Sequence, residues 1–250
     1  MEISLVDQSY SFKYHKLEEN HWWFIGRRDI ISELVKDFRR DAETLEIGCS
    51  GGVLIEALKR HGFTRLQGID IDEEAVKICR QKGLGDINFA DAENTEFNNQ
   101  QFDVLIASDV LEHIRDEERA LQEWQRILKS GGKLIIFVPA FQFLWSGHDE
   151  ANRHYRRYRR SGLIRTLEKN GFKTDRASYW NLSLFLPVSA ARLFRKIFPG
   201  SKKTEADQLF EVNPFINKIL VYVLKLENKL LSWDINLPLG VSVFAVATRL

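Results

Sequence analysis

The sequence predicts a doubly wound α/β protein whose mostly parallel, seven-stranded sheet carries a helical insertion before the last strand, and three observations lead there. From residue 44 to residue 139 short apolar runs alternate with segments of helical period, glycines stand at several helix ends, and two more strand-like runs follow, the second at the C-terminus. Parallel strands must be joined by a crossover that returns across the sheet, usually as a helix, so this alternation implies helices on both faces.

The strands in order are TLEIGC (44–49), LQGIDI (66–71), INFAD (87–91), FDVLIAS (102–108), KLIIFVP (133–139), FKTDRASYW (172–180) and VSVFAVATRL (241–250). Between them, VLIEALKRHG (53–62), EEAVKICRQKG (73–83) and DEERALQEWQRILKSGG (116–132) space their apolar residues by three and four and read as helices with glycine stops. Ser161 is placed to cap a helix that Gly171 ends. The stretch from Asn181 to Pro238 is too long for a bare loop, and within it Phe215, Ile219, Tyr222, Val223, Leu226 and Leu230 fall on one stripe of an amphipathic helix. We therefore expect one domain over 1–250. Its core is 44–180 with 239–250, 1–43 is an N-terminal helical cofactor cover, and 181–238 is a helical substrate cap.

The chain has 36 basic and 35 acidic residues, a net charge of +1, which excludes a generally basic nucleic-acid coat and an acidic disordered tail. The first residues lack the basic start and apolar core of a signal peptide, and no uncharged apolar run reaches membrane-spanning length. Cys49 and Cys79 fit neither a disulfide framework nor a paired-cysteine zinc site, so free thiols and a cytoplasmic location are expected.

EIGCSGG (46–52) is a glycine-rich turn between a strand and a helix, where a ligand approaches the backbone and the helix N-terminus. Asp70 ends the next strand at the offset where an acid accepts nucleoside ribose hydroxyls; Asp91 and the SDVLEHI segment extend the polar set along later strand ends. EIGCSGG, GIDID, FADAE, FDVLIASDVLEHI and LKSGGKLIIFVP together resemble the successive motifs of class I S-adenosylmethionine-dependent methyltransferases over residues 44–139. The resemblance implies that Glu46 and the turn of Gly48, Cys49, Ser50 and Gly52 hold the methionine part. It implies that Asp70 holds the ribose, that Asp91 with Ala92 meets the adenine amino group, that Ile71 packs on the ring, and that Ser108 completes the set. S-adenosylmethionine would be the cofactor and S-adenosylhomocysteine the product. Ser50 departs from the family's more usual glycine. Two other readings stay open: Gly48-Cys-Ser50-Gly-Gly52 also satisfies the G-x-S-x-G elbow of serine hydrolases, and the fold also suits a non-catalytic sensor of the same cofactor.

An oxygen acceptor needs a base within hydrogen-bond reach, and His113, just beyond the fourth strand, is the first candidate, with His148 the alternate. Asp109, Glu112 and His113 form D-x-x-E-H, which resembles the E-x-x-E-H metal motif of ubiquinone-pathway O-methyltransferases. The first position departs from it, and no metal is expected. Two stretches resemble a methyltransferase subgroup: His21-Trp22-Trp23-Phe24 with Arg27-Arg28, and Leu144 to Asp149 running on to His154-Tyr-Arg-Arg-Tyr158. Trp22 or Trp23 would either shield the sulfonium or anchor the N-terminal helix. RHYRRYRR (153–160) holds five arginines and no acid, so Trp145, His154, Arg156, Arg157 and Tyr158 are the candidate acceptor-binding residues, suited to an anionic group. The expected acceptor is small or lipid-linked (a quinone-like phenol, a glycan or a carboxylate) and is methylated at oxygen, with nucleic acid not expected. The interleaved arginines and apolar residues of 181–203 suit either a peripheral membrane contact or a cap packed on the following helix.

Overall fold

The structure, a computed structural model, describes residues 17–197 and 212–250, with side chains up to residue 194 in the first segment. The first sixteen residues of the expected cover, and residues 198–203 of the expected membrane-contact segment, lie outside it. The seven strands are β1 (Thr44–Ile47), β2 (Leu66–Asp70), β3 (Ile87–Phe89), β4 (Phe102–Ser108), β5 (Leu128–Pro139), β6 (Phe172–Trp180) and β7 (Ser242–Arg249). They form one sheet in the order β3-β2-β1-β4-β5-β7-β6. β1 to β5 are mutually parallel and β7 runs antiparallel to both β5 and β6. The central strands are buried on both faces: Leu45, Leu105, Ile106, Leu134, Ile135 and Ile136 are fully enclosed, which accounts for their continuous apolar runs.

The helices are α1 (Trp22–Leu34), α2 (Val53–Arg60), α3 (Glu73–Gln81), α4 (Glu117–Ile127), α5 (Gly147–Ala151), α6 (Arg160–Lys169), α7 (Phe185–Ile197) and α8 (Pro214–Ser232). Asp72 accepts from the Glu74 amide ahead of α3, and Asp116 from the Arg119 amide ahead of α4; the expected cap at Ser161 is corrected, because α6 already starts at Arg160, behind Arg159, and Ser161 lies within its first turn. The sequence runs α4 on to residue 132, but the helix stops at Ile127. Leu128 is already extended and lies opposite Phe102, and the backbone turns through Gly131 at φ +74°, so sheet pairing takes the segment that helical period claimed.

The insertion is helical, as expected, but α8 is turned the other way. Leu224 and Leu231, with Glu227 and Asn228, form its buried face, whereas Phe215, Tyr222 and Leu226 of the predicted stripe are 72%, 64% and 52% exposed. What α8 buries lies against α1. A Cβ on Gly26 would come within 2.4 Å of Leu224 Cδ1 and 3.1 Å of its Cβ, so any larger residue would force Leu224 to shift from this close approach. Asn228 Nδ2 donates to the Gly26 carbonyl and to Asp29, while its Oδ1 accepts from Trp180 Nε1 at 2.8 Å. Asn228→Ala strands the buried indole N–H and a buried carbonyl, and we expect a loss of about 2–3 kcal/mol. Thermal melts check this; an unchanged Tm would refute the role of Asn228 as the tie between α1, α8 and β6.

Candidate functional site

In the order 2-1-4 the connections leave β1 and β4 in opposite directions, opening a crevice beyond their C-terminal ends, where open α/β sheets bind ligands. On the β1 side stands the glycine turn. Gly48 and Gly52 lie at φ +71° and +75°, and a Cβ on Gly48 would strike Val110 at 2.6 Å. These glycines thus serve packing as much as ligand approach. Ser50 also holds a positive φ, +46°, and its amide donates to Asp70 Oδ2 at 2.8 Å, while Asp70 Oδ1 accepts from the Asp72 amide at 2.9 Å. Each Asp70 oxygen keeps a further lone pair for a hydroxyl. Burial raises the Asp70 pKa above the ordinary carboxylate value, against the pull of those two amides. Ile71 is 62% exposed beside it, an open apolar surface at the strand end, and Asp91 is exposed on the next loop, accepting from the Glu93 amide.

Glu46 is buried, its Oε2 has no hydrogen-bond partner, and its pKa is pushed well up by burial and then by the nearby Glu18 carboxyl. Glu18, which no sequence signal singled out, reaches the turn from the helical residues 17–20 and accepts from the Gly51 amide at 3.3 Å. Arg28 holds that segment in place through the Glu18 and Glu19 carbonyls, and Lys82 pairs with Glu19. Three carboxyl groups thus share the turn. An aminoacyl sulfonium, with cationic ammonium and sulfonium groups, fits this surplus of negative charge and gives the orphaned Glu46 oxygen a donor.

Glu46, the turn from Gly48 to Gly52 and Asp70 thus lie together, with Ile71, Asp91 and Ala92 along the neighbouring strand ends, where the Ala92 carbonyl accepts from Trp124; Cys49 and Ser108 depart from the expected set. Cys49 is buried and its thiol bonds with Cys79, so only its backbone faces the turn. Ser108 bonds through its hydroxyl to Arg27 and Asp109. Arg27 is the larger finding from the aromatic motif. It is buried, pairs with Asp109 at 2.9 Å, donates to Ser242 and lies 4.4 Å over both Phe137 and Trp180. Trp23 packs edge-on to Trp180, ring centroids 4.9 Å apart. The motif anchors α1 to the core.

The acceptor-side assignments divide. Arg157 is not available to an acceptor: it makes a two-pronged pair with the fully enclosed Asp149, at 2.7 and 2.9 Å. Arg156 is drawn to Glu117 and the Arg115 carbonyl, and Tyr158 donates to Glu117 at 2.7 Å. In the fold the enclosed Asp149 holds Arg157, and the partly exposed Glu117 takes Arg156 and the Tyr158 hydroxyl, so the expected acceptor-binding roles of Arg156, Arg157 and Tyr158 are corrected. Trp145 is half-buried at the start of α5. The histidines do converge: His113 and His154 stand perpendicular with centroids 4.5 Å apart, and His148 lies 6.1 Å from His154. His113 is exposed at one edge, yet desolvation by the packing around its ring, and then the neighbouring His154, lowers its pKa to about 4; desolvation of the partly buried His148 lowers that group to about 4 as well.

Because an unfolded histidine titrates near 6.5, the unfolded chain binds protons between about pH 6.5 and 4 that the folded one refuses. The contribution of His148 is full above pH 6.5 and is lost as the pH falls towards 4. We expect the Tm drop between pH 7 and pH 5 to shrink in His148→Gln; melts of both proteins at the two pH values check this, and parallel slopes would refute it.

Comparison with known proteins follows the same lines. Residues 45–136 match the family model described as a methyltransferase domain. Residues 45–136 are a methyltransferase domain. This domain is of the S-adenosylmethionine-dependent kind, with that compound as its cofactor, and the serine-hydrolase reading of Ser50 falls away. The chain is 28% identical over 171 residues to an uncharacterized protein of Methanocaldococcus jannaschii, covering 64% of this chain and 80% of that one. It is 34% identical over 98 residues to the ubiquinone biosynthesis O-methyltransferase of Coxiella burnetii. That match takes in 37% of this chain and spans about two fifths (41%) of the relative's length. Among solved structures, an S-adenosylmethionine-dependent methyltransferase from Archaeoglobus fulgidus superposes with a TM-score of 0.60 at 17% identity, over 96% of this chain and all of that one. The phosphoethanolamine N-methyltransferase 2 of Haemonchus contortus, solved with S-adenosylmethionine, gives 0.54 at 20% identity, over 88% of this chain and 52% of that one. Among the described residues, no helix of the protein is long and apolar enough to cross a membrane.

Proposed function

We propose that the protein transfers the methyl group of S-adenosylmethionine to an oxygen of a small or lipid-linked acceptor. The observation that carries this is the gathering of His113, His148 and His154 at the far side of the crevice, with ring centroids 4.5 Å apart for His113 and His154 and 6.1 Å apart for His148 and His154. A hydroxyl must lose its proton as it attacks, and a neutral imidazole within reach accepts it. The cofactor supplies an activated methyl group on a sulfonium. Glu46 and the turn from Gly48 to Gly52 would hold its aminoacyl end, Asp70 its ribose, and Ile71, Asp91 and Ala92 its base. With the acceptor oxygen held in line, the carbon–sulfur bond would break as the carbon–oxygen bond forms, an imidazole would take the hydroxyl proton, and S-adenosylhomocysteine would be the product; alignment alone would supply several kcal/mol.

The ubiquinone-pathway relatives support oxygen as the target, and the commitment of Arg156 and Arg157 to acids removes the reason to require an anionic acceptor. We assign the segment up to residue 43 as a cofactor cover, supported by the Glu18 contact. The 181–238 insertion is assigned as an acceptor cap, supported by Phe185 packing on Phe141 and Phe143 ahead of α5. The test is methyl transfer from labelled cofactor to a panel of catechols, polyprenyl-linked sugars, carboxylates and amines. Label on phenolic or alcoholic oxygen, with a His148→Ala kcat lowered about 100-fold at nearly constant cofactor affinity, is the expected result. Label only on nitrogen or carbon would overturn it, and cofactor binding with no transfer to any acceptor would favour the sensor.

A further inference from the structure

We propose that Glu112, His113 and His154 form a binding site for a zinc-class divalent transition-metal ion beside the crevice. One ligand atom from each lies within 4.8 Å of the others, before any contraction around an ion. Glu112 is 1% exposed, yet its Oε2 has no hydrogen-bond partner. Leaving a buried carboxylate oxygen unsatisfied costs free energy, and the structure offers this oxygen no donor.

Both imidazoles are prepared in the way that metal ligands require. His154 Nδ1 donates to Asp149 Oδ1 at 2.9 Å, and the His113 ring donates to the Asn152 carbonyl, so each ring has one nitrogen held by an acceptor behind it and its other nitrogen as the one that can ligate. A carboxylate or carbonyl behind the ligating ring is the usual outer support of histidine–metal bonds. Asp149 is itself clamped by the guanidinium of Arg157 and by the Ser146 amide, which fixes the orientation of the His154 ring. Two imidazoles and one carboxylate select a transition ion over magnesium or calcium, and three protein ligands leave a coordination position open.

This set differs from the D-x-x-E-H spacing. Asp109 is drawn away by Arg27 at 2.9 Å, and the third ligand comes instead from the loop after α5. Any role of the ion in binding and acidifying an acceptor hydroxyl rests on the oxygen-transfer reading; the site itself does not. With the ion in place, His148 is the imidazole left to take the proton.

The test uses the full chain, stripped with a chelator and titrated with cobalt(II) and with zinc in the absence of cofactor and acceptor, so that its outcome is independent of transfer chemistry. We expect one equivalent of cobalt with ligand-field absorption bands, displaced by zinc. Zinc affinity should fall at least about tenfold in His154→Ala and in the near-isosteric Glu112→Gln, and stay within about threefold in His148→Ala. Retained S-adenosylmethionine binding certifies the fold of each variant; should His154→Ala fail it, Glu112→Gln decides. No bands in the unaltered protein, undiminished affinity in Glu112→Gln, or abolition by His148→Ala instead would overturn the proposal.

Discussion

Asp149→Ala is expected to lower the Tm by roughly 10 °C. Asp149 is fully enclosed and accepts from Arg157 twice, from His154 and from the Ser146 amide. Removing it leaves the Arg157 side chain, 5% exposed, as a buried charge without its counter-ion; breaking such pairs from one side costs about 3–5 kcal/mol, and each kcal/mol is worth about 2–4 °C in a chain of this size. Burial opposes the charge on Asp149, but the hydrogen bonds from His154 and Arg157 outweigh it and hold the carboxyl well below its usual pKa. Its contribution is therefore present above about pH 4, the unfolded value, and is lost as the pH falls below that. Calorimetric melts at neutral pH check the first point, and a shift of less than about 2 °C would show that the cluster is dispensable. Melts from pH 5 downward check the second: the unaltered protein should converge on the variant.

The second large effect is on the cofactor. Asp70→Ala removes a carboxylate that organises the turn through Ser50 and would accept the ribose hydroxyls. Hydrogen bonds to a charged group are worth about 1.5–3 kcal/mol, so S-adenosylmethionine and S-adenosylhomocysteine should both bind roughly 10- to 150-fold more weakly. Ile71→Ala, which trims an exposed face, should cost less. Titration calorimetry on the three proteins checks the ranking, and an Asp70→Ala variant binding as tightly as the parent would remove the ribose from this strand end.

These two residues mark the limit of what could be read from the chain. Asp70 was legible because the feature that places it is local: an apolar run ends, an acid follows, and a helix cap comes next, all within a few residues. Asp149 stood out in the sequence only as the end of the Leu144 to Asp149 stretch, because the partners that define it, His154 and Arg157, reach it through loop geometry that has no period. The same contrast separates Glu46, found by its place in the turn, from Glu18, which touches the same turn from a segment with no motif of its own.

The sequence by itself determined the order and kind of the elements, the burial of the central strands and the position of the cofactor turn. Apolar periodicity and turn chemistry are properties of neighbouring residues, and a parallel sheet admits few topologies. Only the tertiary structure decided which charges are spent and which are free. It turned Arg157 inward onto Asp149 and drew Arg156 onto Glu117, drew Asp109 to Arg27 instead of the motif it belongs to in sequence, and left the predicted apolar stripe of α8 facing outward. Charges pair across space with no regard to spacing along the chain, and a helix buries whichever face its neighbour can fit. Here that face carries Asn228 and Leu224, because Gly26 lets α1 come close enough to use them.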